Sequence, residues 1–178
     1  MNNPPVTPAD IKHAIRNVPD FPKPGIQFKD ITPVLADARL FAGSIDLLTQ
    51  NFAPGSVDAV IGIDARGFIF AAAAALKLNA GFIPIRKKGK LPYKTHEQDY
   101  DLEYGQATVA MHVDALKPGA RVLLIDDLLA TGGTAAAAIA LMKKLHANIL
   151  GVSFLIELKF LDGRKKLKGH PIRSIVDY

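Results

Sequence analysis

The chain of 178 residues contains no cysteine, which excludes disulfides and thiolate metal sites and agrees with a reducing, cytoplasmic location. No apolar stretch reaches the ~18 residues that would span a bilayer, so a soluble protein without membrane contact is expected. The opening residues, Met-Asn-Asn-Pro-Pro-Val-Thr-Pro, lack the basic start and apolar core of a secretory signal and suit a loosely held arm. Neither Gly-x-x-x-x-Gly-Lys-Ser/Thr nor Gly-x-Gly-x-x-Gly occurs, so the Walker-type and dinucleotide fingerprints do not apply. Five histidines, His13, His96, His112, His146 and His170, are scattered without metal-ligand spacing, and none reads as a ligand. Internal repeats are lacking too, and low complexity is confined to the proline-rich start.

What is present is a modest excess of positive charge: 22 Lys and Arg against 17 Asp and Glu, a formal +5. An excess of that sign raises the question of nucleic acid, but its placement argues otherwise. The basic residues gather at 86–94 and 164–168, without interleaved aromatics or a nucleic-acid module. The plainer interpretation is one cluster for a polyanionic small molecule and one solvated surface face, with no nucleic-acid partner. Length suits a single domain, residues 1–178, able to bury roughly two thirds of its unfolded surface.

Apolar patterning gives an alternating order of elements. Residues 58–63 predict a buried strand, 64–67 a turn and 68–78 a helix; strands follow at 81–85 and, less cleanly, at 107–113. After the Lys117-Pro118-Gly119 turn come a strand at 122–125, a helix at 135–145, a strand at 151–158 and a short one at 172–176. The alanine run 71–75 fits close helix-on-sheet packing, because alanine brings helix propensity and no functional group. Together these predict an α/β fold, a central, mostly parallel sheet flanked by helices, with ligands at the carboxyl ends of its strands. Three loops would then converge: 64–67, 86–88 and 126–134. Residues 91–101 show no apolar periodicity and mix charges, which predicts a long exposed loop, and long loops tend to be functional.

Residues 122–134 carry the most information. An apolar run, two adjacent carboxylates and a small-residue turn lead into a helix, and free N–H groups at a helix start favour an anion near Thr131, Gly132, Gly133 and Thr134. The glycines would let backbone approach the anion, and the threonine hydroxyls would add donors. Asp126 and Asp127 would repel a bare phosphate, but they suit ribose hydroxyls and Mg²⁺ held directly or through water. An ordinary strand-to-helix turn with exposed aspartates is the alternative. In the turn Asp64-Ala65-Arg66-Gly67, the N–H groups before the second helix form another anion site, to which Arg66 adds positive charge. Solvation is the alternative for Arg66.

The stretch 126–134, DDLLATGGT, resembles the phosphoribosyl-pyrophosphate motif of type I phosphoribosyltransferases, in the form used by adenine-specific members. Likeness extends through 20–33 (DFPKPGIQFKDITP), 62–68 (GIDARGF), 86–92 (RKKGKLP) and 100–105 (YDLEYG), and so covers nearly the whole chain. The resemblance implies transfer of the 5-phosphoribosyl group from phosphoribosyl pyrophosphate to adenine with Mg²⁺, in a homodimer. It implies a small N-terminal arm and base-binding hood at about 1–33 and a mobile lid loop at about 91–104. Ribose-phosphate binding would fall to Asp126, Asp127, Ala130, Thr131, Gly132, Gly133 and Thr134. Pyrophosphate would meet Asp64, Ala65, Arg66, Gly67, Arg86, Lys87, Lys88 and Lys90, in a turn often built around a cis peptide. Asp126 and Asp127 would serve the metal indirectly or through the ribose hydroxyls.

Glu103 and Tyr104 match the catalytic positions at the base of the lid, with Arg66 the third catalytic candidate. A carboxylate there assists proton movement on the base and stabilises positive charge, and the phenol donates to phosphate. An ordinary exposed strand residue is the alternative for Glu103. Gln27, Phe28 and Lys29 match the adenine contacts, with Lys29 standing where relatives often carry the bidentate donor Arg. Asp64 stands where some relatives have Glu. Ala130 replaces the aspartate of 6-oxopurine enzymes and can neither donate, accept nor take a proton, which disfavours hypoxanthine and guanine. A regulator that senses phosphoribosyl pyrophosphate is the competing class. The residues ahead of Phe21 are too few for a winged helix, and Glu103 and Tyr104 would be unneeded in it.

Overall fold

A computed structural model of the chain describes residues 4–101 and 105–178. Its internal contacts gather into two units, residues 1–47 and 48–178. In the first, helix α1 (Pro8–Ala14) begins with a reciprocal cap: Asp10 N donates to Thr7 Oγ1 at 3.2 Å and Thr7 N to Asp10 Oδ2 at 2.9 Å. Strands β1 (Arg16–Pro19) and β2 (Gln27–Asp30) pair antiparallel, and α2 (Thr32–Ala36) follows. Helix α3 (Ala38–Thr49) runs across the boundary between the units.

The second unit holds a seven-stranded sheet in the order β5-β6-β4-β3-β7-β8-β9. Its parallel part comprises β4 (Gly81–Lys87), β3 (Ala59–Ile63), β7 (Arg121–Leu129), β8 (Asn148–Glu157) and β9 (Ile172–Asp177). All five residues of β3 are buried, as expected of a strand with neighbours on both edges and helices over both faces. The mostly parallel α/β sheet predicted from the pattern is therefore present.

Helix α4 (Gly67–Leu78) covers one face and α5 (Gly133–Lys144) the other. Gly62 makes the first contact close: a side-chain carbon there would stand 2.7 Å from Ala71 Cβ and 2.9 Å from Phe82 Cε2. The alanine run thus packs its buried members Ala71, Ala74 and Ala75 directly on the sheet. On the opposite face Ile61, Leu124 and Phe154 join Ala138, Leu141 and Met142 of α5 in one core cluster. Fully burying a side chain such as Phe154 contributes about 1.5–3 kcal/mol. No helix among the described residues is long and apolar enough to cross a membrane.

Two expectations change. Residues 95–101 form strand β5 (Thr95–Asp101), paired antiparallel with β6 (Gln106–His112) at the edge of the sheet, so the hairpin replaces most of the long loop expected at 91–101. Apolar periodicity misses β5 because polar contacts and backbone pairing hold it: Thr108 Oγ1 donates to Asp99 Oδ1 at 2.6 Å and Lys144 Nζ to the Glu97 carbonyl at 2.6 Å. Strand β7, expected at 122–125, continues to Leu129 because β8 pairs with it well past the end of β3, matching Leu129 with Glu157. Asp126 and Asp127 therefore lie within a strand, not in the turn.

Candidate active site

Three adjacent strands, β4, β3 and β7, end side by side, so the segments that follow them meet, as the alternating pattern implied. Asp64 and Ala65 are joined by a cis peptide, and Asp64 N donates to the Ile85 carbonyl at 2.9 Å. Arg86 Nε reaches Asp64 Oδ2 at 3.1 Å while its Nη1 donates to the Lys90 carbonyl at 3.0 Å. Arg66 Nε stands 2.8 Å from Asp127 Oδ2. Two ion pairs thus stitch the end of β4 to the turn after β3, and that turn to β7. Lys88 Nζ pairs with Glu97 Oε2 at 2.7 Å, while Lys87 and Lys90 are exposed.

Gly67 is held to glycine by proximity: a side-chain carbon there would sit 2.4 Å from Asp126 Oδ1. That oxygen also accepts from Asp127 N at 2.9 Å. Asp126 and Asp127 are 9% and 6% exposed, so the exposed-aspartate alternative fails. Burial pushes the Asp126 carboxyl well above its ordinary value of 3.8, and the neighbouring Asp127 charge pushes the same way. Burial also raises Asp127, opposed by the Arg66 guanidinium.

A carboxyl raised on folding binds more protons folded than unfolded, so its stabilising contribution is fullest below the unfolded value and is lost as pH rises through the folded one. Asp126→Asn keeps an acceptor for Asp127 N and removes that loss. Thermal melts from pH 4 to 8 should place the variant above the parent at neutral pH, with the gap closing near about pH 4. A variant less stable at neutral pH would contradict this account of the carboxylates.

The turn between β7 and α5 places Ala130, Thr131, Gly132, Gly133 and Thr134 around a cavity of about 80 Å³ that Asp126 also lines. Helix α5 starts at Gly133 with Gly132 as its cap, and among the described residues no side-chain cap bond closes its start, an arrangement suited to an anion. The glycines are explained differently from the expectation. Gly132 has φ +76°, and a side-chain carbon on it would meet the Gly163 carbonyl at 2.3 Å; on Gly133 it would meet the Asp101 carbonyl at 3.3 Å. On the side where a side chain would project, both glycines thus face protein backbone.

The basic residues at 164–168 are exposed, as expected of a solvated face, but Arg164 also reaches inward to a buried partner. Its side chain pairs with Glu157, a residue only 3% exposed that the pattern passed over as part of an apolar strand. An acidic residue closing an apolar run was the available signal. Glu103 and Tyr104 lie outside the described residues. Gln27, Phe28 and Lys29 belong to the other unit, on β2, where Phe28 meets Phe21 edge-to-face at 5.1 Å and Lys29 Nζ donates to Asn17 Oδ1 at 2.6 Å.

Residues 27–174 match the phosphoribosyl transferase domain family. The chain is 56% identical over 173 residues to an adenine phosphoribosyltransferase of Acidothermus cellulolyticus, covering 95% of this chain and 98% of that one. Among solved structures, the adenine phosphoribosyltransferase of Rhodothermus marinus superposes with a TM-score of 0.91 at 49% identity, covering 96% of this chain and 98% of that one. That of Saccharomyces cerevisiae, complexed with an imino-altritol bisphosphate and adenine, gives 0.89 at 38% identity over 94% and 97% of the two chains. The chain belongs to the phosphoribosyltransferase family, alongside its adenine phosphoribosyltransferases.

Proposed function

We propose that the protein transfers the 5-phosphoribosyl group from phosphoribosyl pyrophosphate to N9 of adenine, giving AMP and pyrophosphate in purine salvage. The observation that carries this is the junction of an anion turn at the start of α5 with two buried carboxylates and the Arg66 turn. In the reaction the bond from the ribosyl carbon to pyrophosphate breaks as the bond to N9 forms, through an oxocarbenium-like, largely dissociative state. Ala130, Thr131, Gly132, Gly133 and Thr134 hold the 5-phosphate, and Asp126 and Asp127 accept from the ribose hydroxyls. Asp64, Ala65, Arg66 and Gly67, with Arg86, Lys87, Lys88 and Lys90, receive pyrophosphate, whose growing negative charge the cations stabilise. Arg66, Arg86 and Lys88 are each paired with a carboxylate, which fixes their position at the site.

Gln27, Phe28 and Lys29 bind adenine, Glu103 assists at the base and Tyr104 donates to phosphate, roles that rest on the motifs 20–33 and 100–105. Residues 1–33 act as the hood and 91–104 as the lid of one catalytic domain, in the cytoplasm. The lid excludes water that would otherwise trap the ribosyl centre. Ala130 leaves the site without the aspartate that a 6-oxopurine would use. Formation of AMP from adenine and phosphoribosyl pyrophosphate by the purified protein tests the assignment, and no adenine-dependent pyrophosphate release would refute it.

Among the described residues no three His, Cys, Asp or Glu form a metal cage. Mg²⁺ is commonly held by one or two carboxylates together with substrate phosphates and water, and Asp126 and Asp127 fit that shared, indirect role. When bound, it supplies charge neutralisation on the departing pyrophosphate.

We further propose a homodimer built on the outer face of α4. Ile69, Ala73 and Leu76 recur at helical spacing there, and Leu76 is 85% exposed, with Ile69 at 39%. Leu76→Glu should convert a dimer into a monomer in sedimentation experiments at micromolar concentration. An unchanged dimer would move the interface elsewhere.

A further inference from the structure

Arg164 lies on the short 3-10 helix Gly163–Leu167 and grips Glu157 with a two-pronged contact, Nε to Oε1 at 2.7 Å and Nη2 to Oε2 at 2.6 Å. The same guanidinium donates to Ser174 Oγ at 3.0 Å and to the Ile172 carbonyl at 3.3 Å, and Ser174 Oγ donates to Glu157 Oε2 at 2.5 Å. One side chain therefore fixes the 3-10 helix to the end of β8 and to β9. A planar fork with five donors can serve these partners at once, which a lysine ammonium cannot. The Arg164 guanidinium also holds the Glu157 carboxyl below its usual range, so the pair stays ionised at neutral pH.

The residue next to Arg164 touches the active site. A side-chain carbon on Gly163 would stand 2.2 Å from the Ala130 carbonyl oxygen and 3.0 Å from Gly132 N. One on Gly132 would stand 2.3 Å from the Gly163 carbonyl. The two backbones are in direct contact, each requiring glycine from the other. Leu167, 1% exposed, anchors the far end of the 3-10 helix in the core cluster. Leu158 N adds a bond to the Leu129 carbonyl at 2.9 Å, just before the turn.

We propose that the Glu157–Arg164 pair, acting through Gly163, is a positioning device that sets the backbone of the turn 130–132 for the 5-phosphate of the substrate. This rests on the assignment of that turn to the 5-phosphate under Proposed function. Glu157, Arg164 and Gly163 touch no substrate themselves; they determine where the N–H groups at the start of α5 point. A displacement of about 1 Å at such a turn is enough to cost on the order of a hundredfold in rate. The effect is selective, because adenine and pyrophosphate do not use this turn.

The test compares wild type, Gly163→Ala and the double variant Glu157→Gln/Arg164→Met in the full-length chain. The double variant removes both charges together, so no buried carboxylate is left unpaired if Gly163→Ala fails to fold. Calorimetric affinities for ribose 5-phosphate and pyrophosphate are measured alongside KM for phosphoribosyl pyrophosphate and adenine. Ribose 5-phosphate should bind about tenfold more weakly and KM for phosphoribosyl pyrophosphate should rise similarly, with pyrophosphate affinity and KM for adenine within about twofold of wild type. Unchanged ribose 5-phosphate binding in a folded variant, or equal losses for both anions, would overturn the positioning role. Failure of wild type itself to bind ribose 5-phosphate would overturn the phosphate assignment, and the positioning role with it.

Discussion

Asp127→Asn should lower kcat by on the order of a hundredfold while leaving the protein folded and at least as resistant to heat. The substitution keeps the volume of a side chain that is almost wholly buried, so packing is little disturbed. What changes is charge. Asp127 Oδ2 holds Arg66 Nε at 2.8 Å, the link that aligns the turn after β3 with β7. The amide presents a neutral oxygen or a repelling donor, so Arg66 loses its charged partner and the ribose hydroxyls lose a carboxylate acceptor. Stability should not suffer, because burial raises the pKa of this carboxyl and its ionised form opposes folding at neutral pH. Steady-state kinetics paired with thermal melts separate the two effects. Wild-type turnover in the variant would remove Asp127 from the site.

Gly67→Ala should be nearly as damaging, by a steric route. In a free helix the exchange favours alanine by about 1 kcal/mol. Here the new carbon would lie 2.4 Å from Asp126 Oδ1 and 3.4 Å from Asp126 Cα, so either the carboxylate or the start of α4 must move. Overpacking of that kind costs about 1–3 kcal/mol and outweighs the propensity gain. Both outcomes disturb the contact between the Arg66 turn and the carboxylates, so kcat/KM for phosphoribosyl pyrophosphate should fall about a hundredfold together with a lower melting temperature. A variant that melts higher and turns over normally would show that the approach of Gly67 to Asp126 is slack.

Much of this architecture was legible from apolar patterning. Strands buried on both faces, such as β3 and β8, announce themselves as apolar runs, and the helices after β3 and β7 follow turn signals. What escaped is held by other forces. Strand β5 has polar residues on both faces and is defined by pairing with β6 and by contacts such as Lys144 to the Glu97 carbonyl, which leave no period in the sequence. The pairing of Arg164 with Glu157 was hidden because an exposed basic cluster looks the same in sequence whether or not one member also meets a buried carboxylate.

The candidate site was legible to different depths. The loops 64–67, 86–88 and 126–134 could be expected to converge because each follows a predicted strand, and the strands of a parallel sheet end on the same side. Their pairings could not: that Arg66 meets Asp127 and Arg86 meets Asp64 depends on register and rotamer. Gly132 shows the limit most plainly. A glycine in an anion turn invites the inference that the anion needs the space, whereas here the space is filled by the backbone of Gly163, thirty-one positions later in the chain.

The most direct measurement of the central claim offers the purified protein Mg²⁺ and phosphoribosyl pyrophosphate with adenine, hypoxanthine, guanine and xanthine in parallel, following nucleotide and pyrophosphate together. AMP and an equal amount of pyrophosphate with adenine, and at most traces of nucleotide with the other three bases, is the predicted result. A nucleotide from a 6-oxopurine and none from adenine would contradict it.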